Sequence, residues 1–155
     1  MKNLRKIASN LFIAGQPTEE ELADIRSTGF RTIINLRESD EEGIVTGEER
    51  LVETAGLNYA AIPITPQTIN DVAVQRFIQA VDSDDAPPVV AHCGSGGRAG
   101  IMVLLHLAID YGWSVEQTLS EGEKLGIAPG PDSPYRSFVE DYIRRHSPAE
   151  RSDEE

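Results

Sequence analysis

The stretch from Val89 to Tyr111 limits the possible folds more than any other part of the chain. An apolar, strand-like segment, Val89 to His92, runs into Cys93, the only cysteine. The turn Gly94-Ser95-Gly96-Gly97 follows, closed by Arg98, and Ala99 to Tyr111 is apolar nearly all round, as a buried central helix would be. Three glycines between Cys93 and Arg98 let successive backbone N–H groups turn inward without Cβ clashes. With the N-terminus of the next helix, they form a nest that favours bound negative charge. The same field favours the thiolate form of Cys93. A thiolate beneath a ring of amide donors, with the forked guanidinium of Arg98, suits attack on phosphorus or on sulfane sulfur. The alternative is a buried, inert cysteine in a glycine-rich turn.

The elements around this unit alternate. Leu11 to Ala14 reads as a short strand. Thr18-Glu19-Glu20-Glu21 is a capping box that opens a helix to about Thr28, stopped by Gly29. Arg31 to Leu36 is a buried strand, Arg37 to Gly47 an acidic loop, and Glu48 to Ala55 a helix with Thr46 as its cap. Leu57 to Ile64 forms another strand. Thr68-Ile69-Asn70-Asp71 reads as another helix start, with Val74, Phe77, Ile78 and Val81 following at the spacing of a core-facing stripe. Ser114 caps a further helix ending near Gly126, and Ser133-Pro134 opens a last one. Strands alternating with helices predict an α/β fold, a mainly parallel sheet flanked by helices, in one domain over residues 1–146. Residues 147–155 read as a disordered acidic tail. In such sheets ligands bind beyond the carboxyl ends of the strands, where the Cys93 loop lies.

Composition excludes several functions. A net charge of -12 and a pI near 4.6 argue against nucleic acid or an acidic membrane as partner, since both are polyanions. One cysteine rules out an internal disulfide and suits the reducing cytoplasm. The histidines, His92, His106 and His146, are too dispersed for a metal cluster, and no stretch implies a cofactor. Leu11 to Ala14 is far shorter than the apolar core of a secretory signal and no run of about 18 apolar residues occurs, so a soluble, unexported protein is expected. Nothing in the sequence reports the oligomeric state.

The His92-Cys93 pair, the glycine loop and Gly97-Arg98-Ala99-Gly100 resemble the cysteine-dependent protein tyrosine and dual-specificity phosphatases. Three further segments are similar to the bacterial beta-lactamase-hydrolase-like protein phosphatase family. They are Leu11 to Thr18, including Gly15-Gln16-Pro17, then Gly29 to Arg37, and Tyr59 to Ile64. The resemblance implies Cys93 as nucleophile and Arg98 as anion clamp. It places the amides of Gly94, Ser95, Gly96, Gly97 and Arg98 around the oxyanion, and His92 as a support that holds the loop. A strand-end core histidine is an equally good reading of His92.

The chain departs from the phosphatase pattern in three ways. Four residues, not five, separate Cys93 from Arg98, giving a six-residue loop like that of many rhodaneses. Ala99 stands where phosphatases usually carry a hydroxyl. The loop after Ile64, where the analogy seeks an acid for the leaving oxygen, offers only Asp71. Asp71 is therefore a candidate general acid, and otherwise a first-turn carboxylate on its helix. Glu38 and Glu41, on the acidic loop, are further candidates, and Arg37 faces either an anionic substrate or those acids. Three functions follow: a phosphomonoester hydrolase acting on a small phosphoester or phosphoprotein, a sulfurtransferase carrying a persulfide on Cys93 from a sulfane-sulfur donor, and a phosphate-binding module with little turnover.

Overall fold

The computed structural model describes residues 1–151. Five strands form one sheet in the order β1-β2-β5-β3-β4, comprising β1 (Arg5–Ala8), β2 (Leu11–Ala14), β3 (Thr32–Asn35), β4 (Asn58–Ala61) and β5 (Val89–His92). Four run parallel, and β1 pairs antiparallel with β2 at one edge. The helices are α1 (Glu19–Ala23), extended by a 3-10 turn over Ile25–Thr28, α2 (Glu48–Thr54), α3 (Asp71–Asp82), α4 (Gly97–Tyr111), α5 (Val115–Leu125), α6 (Arg136–His146) and α7 (Pro148–Arg151). This is the α/β architecture predicted, a mainly parallel sheet flanked by helices.

The two faces of the sheet carry separate cores. One packs Leu11, Ile13, Ile34, Leu36, Val89 and Ala91 under α3, α4 and α6. The other packs Ala14, Ile33 and Val90 against Leu22, Ile25 and Val52 of the α1–α2 side. Side chains alternate along a strand, so β5 sends Val89, Ala91 and then Cys93 to the α4 side, and Val90 and then His92 to the α2 side. Strand register therefore decides that cysteine and histidine, though neighbours in sequence, enter different environments.

Local signals placed most element ends. Thr18 and Ser114 each close a capping box, and Gly29 and Gly126 stop their helices with φ of 87° and 75°. One strand was unforeseen and two expectations are corrected. β1 had no sequence forecast: its residues are half-exposed or exposed, so no apolar alternation marks it. Gly47, not Thr46, caps α2; its φ of 79° lies in the left-handed region that glycine enters without strain. Nor is the tail a disordered unit from Ser147: that residue is fully buried and its hydroxyl donates to the Trp113 carbonyl at 2.5 Å, while Pro148–Arg151 is helical. Residues 152–155 of that expectation lie outside the described residues.

Candidate active site

Cys93 emerges from the end of β5 with 2% of its surface exposed. A peptide's C=O and N–H point in opposite directions, so whatever holds a loop carbonyl outward aims the next amide inward. Three carbonyls of this loop have such a neighbour. The Gln16 backbone N–H donates to Gly94 at 3.1 Å, Asn3 Nδ2 donates to Ser95 at 2.8 Å, and the Gly100 N–H donates to Gly96 at 3.0 Å. The amides of Ser95, Gly96 and Gly97 are thereby turned toward the hollow of the loop. The Gly96 N–H shows it directly, lying 3.1 Å from Cys93 Sγ. Gly96 adopts φ 106°, and at Gly15 a Cβ would stand 2.9 Å from the Gly94 carbonyl oxygen, so both positions require glycine.

His92, fully buried, donates from Nε2 to Glu48 Oε2 at 2.5 Å. Glu48 also accepts from Gln16 Nε2 at 2.8 Å and from the Tyr59 hydroxyl at 3.2 Å, and Asn35 donates to that hydroxyl at 3.0 Å. Burial raises the Glu48 pKa, but the His92, Gln16 and Tyr59 donors outweigh it and hold the carboxyl below its ordinary 4.5. An ionised acceptor at Nε2 fixes the proton on that nitrogen. Burial and the Glu48 charge push the Tyr59 phenol upward, so it stays a donor.

Arg98 is held from the other side. Glu41 accepts from Nη1 at 2.8 Å and from Nη2 at 2.7 Å, and the Ile64 carbonyl accepts from Nη1 at 3.1 Å. A guanidinium has five N–H groups. With those three engaged, the Nε–H and second Nη2–H remain as a side-on fork of the kind that grips an oxyanion through two oxygens. Nη2 lies 3.9 Å from where a Gly94 Cβ would stand, so the fork edge borders the loop. The Arg98 hydrogen bonds hold the Glu41 pKa down to about 2. Arg37, its side chain only 8% exposed, donates to Glu41 at 3.0 Å and to Gln16 at 3.0 Å, so of the two expectations it meets the acids. Gln16 thus joins the His92–Glu48 pair to the Arg37–Glu41–Arg98 chain.

The cavity over the loop measures ≈ 730 Å³ and is walled by Cys93 to Arg98, the segment from Gly126 to Tyr135, and Asn3 and Arg5 of the N-terminal segment. Its charged lining is Arg98 and Arg5, with no carboxylate among the lining residues. In a chain of net charge -12, this is a local reversal of sign. Ala99 is buried in the first turn of α4. A second cleft shares Arg98 and Tyr135 and is lined by Glu38, Asp40 and Glu41.

Asp71, by sequence a candidate general acid or a first-turn carboxylate, lies in the first turn of α3, apart from the loop. Its carboxylate accepts from Arg145 at 2.5 and 2.8 Å and from His146 at 3.1 Å, and lines neither cleft. The Arg145 hydrogen bonds, with His146, hold its pKa down to about 2. Glu38 and Glu41 line the second cleft, beside Arg98. Sequence reasoning missed Glu48, which read as one more surface acid, and Asn3. A place in the first turn of a predicted helix did not set Glu48 apart from the neighbouring acids.

A mainly parallel sheet with a cysteine-glycine-arginine loop between a central strand and a buried helix defines the protein tyrosine and dual-specificity phosphatase-like class. The chain belongs to the family described as DSP-PTPase phosphatase fused to NAD+ kinase, whose model matches residues 3–131. It is 34% identical over 129 residues to the beta-lactamase hydrolase-like protein of Xylella fastidiosa strain Temecula1, a match covering 81% of this chain and 29% of that protein. The chain therefore spans less than a third of that relative. Among solved structures, a DUF442 protein from Shewanella putrefaciens CN-32 superposes with a TM-score of 0.74 at 21% identity, over 95% of this chain and 94% of that one. The catalytic core of the PP-IP phosphatase Siw14 from S. cerevisiae superposes at 0.69 with 15% identity, over 93% and 90%. These likenesses establish the fold. No described helix is long and apolar enough to cross a membrane.

Proposed function

We propose that the protein hydrolyses phosphomonoesters through a phosphocysteine intermediate. The observation that carries this reading is the convergence of inward-turned loop amides and the open fork of Arg98 around Cys93 Sγ. Cys93, as the thiolate, attacks phosphorus in line with the ester oxygen; the P–S bond forms as the P–O bond breaks. The loop amides and Arg98 hold the other three oxygens, where charge is greatest in the transition state. Water then attacks the phosphocysteine, releasing inorganic phosphate and the thiolate. The leaving oxygen takes its proton from Glu38 or Asp40, which line the cleft beside Arg98; Glu41 is held ionised by Arg98 and serves to fix the guanidinium. The positive lining of the cavity supplies at short range the attraction that the acidic surface denies at long range. The substrate is a small phosphate ester or a phosphoprotein, and the setting is the cytoplasm.

The test is a paired assay of wild type and Cys93→Ser. Wild type is expected to hydrolyse p-nitrophenyl phosphate, whose aryl leaving group needs little protonation, and the variant to fall to background. Absence of hydrolysis by wild type, with sulfur transfer from thiosulfate to cyanide in its place, would overturn this reading.

A further inference from the structure

The N-terminal segment, for which the fold alone requires only an edge strand, reaches into the loop at one atom. Asn3 Nδ2 donates to the Ser95 carbonyl at 2.8 Å, and the amide of that same peptide, Gly96 N–H, lies 3.1 Å from Cys93 Sγ. The segment is held against the loop's other support: the Gly15 N–H donates to the Lys2 carbonyl at 2.9 Å, next to the Gln16 N–H that holds Gly94. Asn3 sits at φ 56°, a left-handed conformation that asparagine tolerates better than most side chains.

The Ser95–Gly96 peptide has little of its own to fix its direction. Gly96, at φ 106° and without a Cβ, can rotate where another residue could not. Water would satisfy an outward or an inward Ser95 carbonyl equally. Inward, that oxygen would face the sulfur and any bound anion, replacing a donor with a partial negative charge. We propose that Asn3 is a positioning residue that locks this peptide with its N–H toward Cys93, so that the N-terminal segment sets the fraction of molecules competent to bind an oxyanion. Affinity for the anion falls in proportion to that fraction. The proposal rests on the phosphatase-like reading of the loop.

Asn3→Asp separates the lock from the backbone: aspartate keeps the size and the left-handed tolerance, but when ionised it cannot donate. Asn3→Gly keeps backbone freedom and removes the side chain. The readouts are the inorganic phosphate concentration that half-protects Cys93 from alkylation by iodoacetamide, and the thermal midpoint. Both variants are expected to need about tenfold or more phosphate, Asn3→Asp the most because its carboxylate repels both the Ser95 oxygen and the anion, with the midpoint moving by only a few degrees. Half-protection equal to wild type in both variants would overturn the lock and leave the loop's anion-binding reading intact. Failure of phosphate to protect wild type would instead sink that reading.

Discussion

Removing the Glu48 carboxylate should cost more stability than any other single acidic substitution near the site. Glu48 is 4% exposed and His92 fully buried, so Glu48→Ala leaves the His92 Nε2–H, the Gln16 amide and the Tyr59 hydroxyl without their shared acceptor. Breaking a buried pair from one side costs about 3–5 kcal/mol, against a total of about 5–15 kcal/mol for a domain. At a urea m-value of about 2 kcal/mol/M, a loss of about 3 kcal/mol lowers the unfolding midpoint by about 1.5 M. Glu48→Gln, with the same shape but one acceptor oxygen and an NH₂ facing donors, should fall between. The assay is a double-mutant cycle in urea with Glu48→Ala, His92→Ala and both together, and a coupling of about 1–3 kcal/mol is expected. The pair also carries a pH signature. Because the folded Glu48 pKa lies below its ordinary 4.5, its contribution is complete above the unfolded value and is lost as pH falls through the folded one. A loss under about 1 kcal/mol for Glu48→Ala, or single effects that simply add, would refute the reasoning that this carboxylate anchors the strand end.

Gly15→Ala places a Cβ 2.9 Å from the Gly94 carbonyl oxygen, which must move and carry its peptide with it. Hydrolysis of p-nitrophenyl phosphate should drop about tenfold or more, and an unchanged kcat/KM would show the loop to be more yielding than its contacts imply. Asp71→Asn should leave hydrolysis of an alkyl phosphate within about threefold of wild type, since the residue lines neither cleft; a loss beyond about tenfold would return it to the general-acid role. The same variant should flatten the acid limb of stability. With a folded pKa of about 2 against an ordinary 3.8, the ion pair stabilises above about pH 3.8 and fades as pH falls toward 2. Thermal midpoints measured across that window would show it.

Much of the architecture could be read along the chain because its signals are local. A capping box such as Thr18-Glu19-Glu20-Glu21, a stripe such as Val74, Phe77 and Ile78, and an apolar strand ending in Cys93 each act within a few residues. β1 could not be read in this way: its pattern of exposed and half-exposed residues gives no alternation, and its pairing comes from β2. Charged side chains were least legible. Glu41, Glu48 and Asp71 look alike in an acidic sequence, yet one grips Arg98, one lies buried under His92, and one is bound by Arg145.

The order of residues alone settles that a cysteine meets a glycine loop and an arginine between a strand and a helix, since backbone freedom and hydrophobic period act between neighbours. Only the folded chain decides which groups hold that loop in shape. Asn3 and Ser95 are separated by 92 positions, Glu41 and Arg98 by 57, and Glu48 and His92 by 44. A hydrogen bond depends on distance and angle in space, and sheet register and helix packing bring those pairs within reach.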